Sequence, residues 1–265
     1  MINKLNCGLA IPQIFGHSAV LAGQAVRRYV SDPDVMYRCQ VAAQDYYGYD
    51  AVFPAADHSI LAEGMGSELN YCQDGYPNLS HPVLQDVRCW ENLQQPDPYS
   101  SGRMPVTIEA CRMLRRTFGD QVLVAAKIMG PMTIAGQLLG PEKLLFSLVD
   151  YPEDVKGLLD FVTEAAISYG KAQAEAGAHL IIIYDPMASP SIIPFELFRH
   201  VELPNLKKIC IRLKEVRNLG LWFQCWISPK IYSMVKEIDL DLVSIDSHLD
   251  LAEALENLPD RFLVG

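Results

Sequence analysis

The run Leu180-Ile181-Ile182-Ile183-Tyr184 constrains the fold more than any other feature of the chain. No polar residue alternates within it, so a strand there is covered on both faces, as in a parallel sheet flanked by helices. Comparable runs lie at 10–15, 49–53, 121–128, 221–225, 242–245 and 261–264. Between them, segments 107–118, 141–176, 194–219, 228–238 and 249–258 carry helix periodicity, with a break expected at Tyr151-Pro152. About seven strands alternating with helices fit a (β/α)8 barrel better than a doubly wound sheet.

The first half is less regular. Ser31-Asp32-Pro33 is a helix-start signal with Ser31 as the expected N-cap, and 35–47 follows at helical spacing. Residues 70–105 hold five prolines and two glycines. They read as a long surface excursion with one short helix, of the kind that serves as a lid or binding loop. The reading is one barrel domain over 1–265.

Composition removes several classes of function. Lys and Arg number 22 against 32 Asp and Glu, a net charge of -10, and no basic cluster occurs, so no nucleic-acid surface is expected. No apolar run approaches the ~20 residues of a membrane span. The N-terminus lacks the marks of a signal peptide. The seven cysteines (7, 39, 72, 89, 111, 210 and 225) are odd in number and irregularly spaced, which points to a reducing, cytoplasmic setting. No glycine-rich phosphate loop follows any strand.

Barrels of this kind carry their chemistry at the C-terminal strand ends. Those positions hold Asp57-His58, Lys127 and Gly130-Pro131-Met132-Thr133, Tyr184-Asp185, Gln224-Cys225, and Asp246-Ser247-His248. Bland readings stand beside each. Asp185 and Asp57 could cap helices, Cys225 could be a plain buried thiol, and His248 a loop residue. His17, His81, His179 and His200 look like surface or packing residues. The sharper reading is a zinc site, with sulfur from Cys225, nitrogen from His248 or His58, and oxygen from Asp57 or Asp246.

The segment Ile128–Leu206, with Gly130-Pro131-Met132-Thr133 and Asp185-Pro186-Met187-Ala188-Ser189-Pro190, resembles the uroporphyrinogen decarboxylase superfamily. So do Gly16-His17-Ser18, Gly48-Tyr49-Asp50-Ala51-Val52, Asp57 and Glu63-Gly64-Met65-Gly66. The resemblance implies a (β/α)8 barrel and two chemistries. One is cofactor-free decarboxylation of uroporphyrinogen. The other is methyl transfer from a methylated corrinoid to a thiol, as in methylcobalamin:coenzyme M methyltransferases. The Asp-Pro-x-Ala-Ser-Pro element looks like the methyltransferase branch. The decarboxylase's Arg-Gln-Ala-Gly-Arg element has only Gly23-Gln24-Ala25-Val26-Arg27 as a counterpart. That enzyme's active-site Tyr corresponds to Gln137 and its Ser-His pair to Pro186-Met187, while Asp57, its pyrrole-binding carboxylate, is retained.

The methyltransferase branch holds zinc through His-x-Cys after strand five and a later Cys. Cys225 matches the first Cys, Phe223 stands at the His position, and the later Cys would lie beyond residue 265, where the family continues through a last strand–helix unit. Two of three zinc ligands are thus absent, with His248 or His58 as candidate replacements. The missing unit is expected to be compensated by dimerisation or disorder, unless the sequence is incomplete. The implied catalytic residues are Asp57 and Asp185. The implied pocket comprises His17, His58, Met132, Gln137, Tyr184, Phe223, Gln224 and Asp246. The primary expectation is a corrinoid-linked methyltransferase-like enzyme, served by a corrinoid protein or free methylcorrinoid and by a small thiol. A tetrapyrrole decarboxylase (Arg27, Arg28, Asp57) and a non-catalytic tetrapyrrole- or corrinoid-binding relative (Phe223, Trp226) are the alternatives.

Overall fold

The computed structural model describes residues 8–72, 74–216, 219–225, 229 and 232–265. Trp226 and the first residues of the expected 228–238 helix lie outside them. The strands are β1 (Ala51–Val52), β2 (Glu68–Asn70), β3 (Asn78–His81), β4 (Leu123–Met129), β5 (Leu180–Tyr184), β6 (Gly220–Gln224), β7 (Leu242–Ser244) and β8 (Phe262–Val264). The helices are α1 (Gly16–Leu21), α2 (Val26–Tyr29), α3 (Pro33–Tyr47), α4 (Ile60–Gly64), α5 (Met104–Phe118), α6 (Pro131–Leu139), α7 (Pro141–Asp150), α8 (Pro152–Glu175), α9 (Phe195–Leu197), α10 (Leu203–Lys214), α11 (Tyr232–Val235) and α12 (Leu251–Asn257).

Six strands form one parallel sheet in the order β1-β4-β5-β6-β7-β8, while β2 and β3 make a separate antiparallel hairpin. The helices follow the strands as in a (β/α)8 barrel. Alternation along each strand divides the core in two. Ala51, Leu123, Ala125, Leu180, Ile182, Trp222 and Leu242 pack together on the inner face. Val52, Val124, Ala126, Ile128, Ile181, Ile183, Leu221, Phe223 and Val243 meet the helices on the outer face. Proline sets four helix starts: Pro33, Pro131, Pro141 and Pro152 each open a helix, where a missing N–H costs nothing.

The structure corrects four expectations. Residues 10–15 form no strand. Pro12 cannot donate to a ladder, Ile14 N–H turns back to the Pro12 carbonyl (2.8 Å), and one backbone bond, Asp50 N–H to the Ala10 carbonyl (2.9 Å), ties the segment to β1. Asp32, not Ser31, caps α3, accepting from the Asp34 and Val35 amides. The excursion contains the β2–β3 hairpin as well as a short 3₁₀ helix, Val87–Asn92. Residues 131–139, outside every helical segment expected above, form helix α6. Among the described residues the sheet is open between β8 and residues 8–12, across a groove of about 510 Å³.

Candidate active site

The C-terminal strand ends carry two cavities with Tyr184 between them. The first, about 330 Å³, is lined by Gln13, Tyr184, Trp222, Gln224, Cys225 and Ser244 among others. Register explains its depth. Tyr184 pairs with Gln224 at the top of the sheet, and Ile182 pairs with Trp222 one step below, so the indole is the floor. Trp222 is 1% exposed and donates Nε1–H to Ser244 Oγ at 2.8 Å. Gln13 Nε2 donates to Gln224 Oε1 at 2.6 Å and fixes that amide at the rim. Cys225, one residue past β6, is buried beside Tyr184.

The second cavity, about 260 Å³, is bounded by Phe15, Asp57, His58, Tyr76, Leu79, Lys127 and Gln137 among others. The hairpin supplies its outer wall. Lys127 enters from β4 on the inner face and is 7% exposed. Its Nζ lies 3.2 Å from His58 Nδ1 and 4.8 Å from the Phe15 ring centroid. Burial lowers the Lys127 pKa to about 8, an effect the Asp57 charge partly counters. Burial and then the Lys127 ammonium lower His58 to about 4, so the imidazole is neutral at pH 7. His58 stacks on Tyr184, with centroids 4.8 Å apart. Gln137 donates to the His58 carbonyl at 3.0 Å.

Asp57 lines this cavity with its oxygens already engaged. Arg103 donates Nη1–H to Oδ2 at 2.6 Å and Nη2–H to Oδ1 at 3.3 Å, and the Ser59 amide and hydroxyl donate to Oδ1. Burial pushes the carboxyl up, but Arg103 and Ser59 outweigh it, so Asp57 sits below its ordinary value. Arg103 also holds Glu63, Nε to Oε2, at 2.7 Å.

Asp185 faces neither cavity. It is 0% exposed and sits at the start of α6, accepting from the Met132 amide (3.1 Å), the Thr133 amide (2.9 Å) and the Thr133 hydroxyl (2.5 Å). A side chain at Gly130 would collide with that carboxylate, so glycine is required there. Burial raises Asp185 to about 6. Glu202, also wholly buried, is raised well above the usual range by burial and then by the Asp185 charge.

The structure therefore brings together Tyr184, Gln224 and Cys225 in one cavity and Asp57, His58 and Gln137 in the other. It does not place the remaining candidates with them. His17 is exposed on α1 and bonded to the Tyr47 hydroxyl at 2.8 Å. Met132 is core, on a helix that has no buried polar work for it. Phe223 faces the helices because strand alternation gives the interior to Trp222 and Gln224. Asp246 takes the His248 amide (3.0 Å) in a local turn, and His248 is exposed. Sequence reasoning missed Arg103, Tyr76 and Glu202, since none stands at a strand end.

The donor set does not fit zinc. Among the described residues no three His, Cys, Asp or Glu side chains gather as a metal site. Cys225 has Tyr184, Gln224 and Ser244 around its cavity rather than imidazole or thiolate. No described helix is long and apolar enough to cross a membrane.

Comparison with known proteins follows this geometry. The uroporphyrinogen decarboxylase (URO-D) family profile matches residues 14–265. A methylated-thiol--coenzyme M methyltransferase of Methanosarcina mazei is 28% identical over 217 residues, covering 82% of this chain and 58% of that protein. The methylcobamide:CoM methyltransferase MtaA of Methanosarcina barkeri is 28% identical over 240 residues, covering 89% of this chain and 69% of that protein. A uroporphyrinogen decarboxylase of Anaeromyxobacter dehalogenans is 25% identical over 259 residues, covering 91% and 73%. Among solved structures, a methyltransferase from Methanosarcina mazei superposes with TM-score 0.84 at 26% identity, covering 95% of this chain and 74% of that one. The chain thus spans well under two thirds of the first of these relatives.

Proposed function

The chain belongs to the uroporphyrinogen decarboxylase family, and from that premise we propose that it is a methyltransferase-like enzyme moving a methyl group from a methylated corrinoid to a small thiol. The donor would be a corrinoid protein or the free methylcorrinoid, and residues 1–265 would act as one barrel domain in the cytoplasm. The likeness to the Methanosarcina methyltransferases supports this reading.

The observation that carries it over decarboxylation is the state of Asp57. Its Oδ1 already accepts from Arg103 and from the Ser59 amide and hydroxyl, and its Oδ2 accepts from Arg103, so little of the carboxylate is left for a ring of pyrrole N–H groups. The Tyr184–Gln224–Cys225 cavity is a sheltered place for transfer instead. There the thiol proton leaves to solvent, the sulfur attacks the methyl carbon to form the thioether C–S bond, and the electron pair of the broken carbon–cobalt bond stays on cobalt. Trp222 forms the floor beside that path and Tyr184 a wall. Because the donor set does not fit zinc, no step is assigned to that metal.

The test is anaerobic incubation with methylcobalamin and a panel of small thiols, following the methylcobalamin spectrum and the thioether by mass spectrometry. We expect thiol-dependent methyl loss, reduced at least ~10-fold in Trp222→Ala, about 1.4 kcal/mol of transition-state free energy. No thioether from any thiol refutes the proposal.

A further inference from the structure

The wall of the Lys127 cavity carries three hydrogen-bond donors, Lys127, His58 and Tyr76, beside apolar Phe15 and Leu79 and the side-chain amides of Asn78 and Gln137. Lys127 gives one proton toward His58 Nδ1 at 3.2 Å and keeps two more. With Nδ1 accepting, the neutral imidazole carries its hydrogen on Nε2, so His58 is a second donor. Tyr76 is a third. Its hydroxyl oxygen accepts the Gly16 amide at 2.5 Å, which leaves its own proton to donate. The one carboxylate on the wall, Asp57, is spoken for by Arg103 and Ser59. Among the described residues no carboxylate lies within 4.0 Å of Lys127 Nζ. Buried ammonium groups are rarely left without a contacting anion.

We propose that this cavity is a binding site for the oxyanionic head of a small organic acid, held by Lys127, His58 and Tyr76, with its apolar stem against Phe15 and Leu79. Carboxylate, sulfonate and phosphate heads share the chemistry that these donors read. A volume of about 260 Å³ matches a short-chain acid. The groups facing Lys127 are His58 and Phe15 at contact, the Tyr184 ring at 6.0 Å, and Asp57 beyond. A bound anion therefore supplies the counter-charge that the fold withholds, and it raises the lysine from its burial-lowered value of about 8. The site includes neither Cys225 nor a corrinoid, so it stands or falls apart from methyl transfer.

The experiment is calorimetric titration of the full chain with butyrate, propanesulfonate and propyl phosphate, and with butyramide as the neutral isostere. Carbon-13 NMR of labelled lysine, with Lys127 assigned by its loss in Lys127→Met, reads the pKa in parallel. We expect at least one anion to bind ~10-fold or more tightly than butyramide and to move the Lys127 titration upward. In Lys127→Met that preference falls to about one. The best head group among the three identifies the source class. Equal affinity for butyramide, unchanged anion affinity in Lys127→Met, or no binding by any anion at millimolar concentration overturns the proposal. If Lys127→Met does not fold, Tyr76→Phe keeps the ring and removes only the donor. It is expected to weaken the preferred anion several-fold, and no change there likewise overturns the proposal. Anion binding without methyl transfer would remove only the methyltransferase reading.

Discussion

Asp185 stands in the motif that most resembles methyltransferases, so its role decides how such motifs should be read. Replacing it by alanine strands three buried donors: the Met132 and Thr133 amides and the Thr133 hydroxyl. Each stranded donor costs about 1–3 kcal/mol, so roughly 6 kcal/mol is lost in the middle of the range. Part of that is recovered. The carboxyl is raised from 3.8 to about 6, so keeping it ionised at pH 7 costs the fold about 3 kcal/mol, which alanine removes. The net expectation for Asp185→Ala is a destabilisation of about 3 kcal/mol, read from urea unfolding midpoints at constant slope. Asp185→Asn retains an acceptor for Thr133 and sheds the charge, so it should cost under ~1 kcal/mol. A double-mutant cycle isolates the contact with Gly130. Gly130→Ala is severe in the wild type, because its Cβ meets the carboxylate, and milder in Asp185→Ala, where that space is vacated. The reasoning fails if Asp185→Ala folds with unchanged stability and loses only turnover, as a carboxylate that serves chemistry alone would.

Glu202→Gln tests the neighbouring acid. Asp185 and Glu202 both have raised folded-state values, so their contribution is fully present below about pH 4 and is lost as pH rises through about 6 and beyond. Glu202→Gln should raise the melting temperature at about pH 8 and leave it little changed near pH 4, and equal shifts at both would sink the account. Arg103→Met leaves Asp57 and Glu63 buried without their shared cation, an expected loss of about 3–5 kcal/mol at pH 7 in urea unfolding. In the wild type Asp57 is lowered and its contribution is lost on acidification below 3.8; in Arg103→Met only the Ser59 donors still oppose burial, so the stability lost on acidification should shrink, and an unchanged pH slope would contradict the pairing.

The layered fold was legible because apolar runs buried on both faces permit few alternatives. The 180–184 run was placed as it stands, and the Tyr151-Pro152 break falls between α7 and α8. What failed locally failed for chemical reasons. Pro12 keeps an apolar segment out of the sheet, and Gly130-Pro131 starts a helix where none was expected. The inward set at the barrel mouth was harder. It depends on a one-residue choice of face, so Phe223 looked like a ligand position while Trp222 and Gln224 hold the interior. Tyr76 lines the second cavity and Arg103 holds Asp57 at its wall, both from the irregular excursion, where no periodicity marks an inward side chain.

The recognisable strings carry a further lesson. Apart from Pro186, which lines the first cavity, Gly130-Pro131-Met132-Thr133 and Asp185-Pro186-Met187 converge on each other. Asp185 receives the Met132 and Thr133 amides, the Thr133 hydroxyl receives the Met187 amide at 3.2 Å, Gly130 yields space to Asp185, and Gly136 yields space to Met187. Such a pairing locks the β4–α6 turn to the β5 exit and shapes the mouth without touching what enters it. Strings of this kind therefore report the barrel and its family, while chemistry is set by what the same strands aim inward: Lys127 from β4, Tyr184 from β5 and Gln224 from β6. Those side chains are where a change of substrate would be written, because each can be exchanged without disturbing the interlocked turns beneath it.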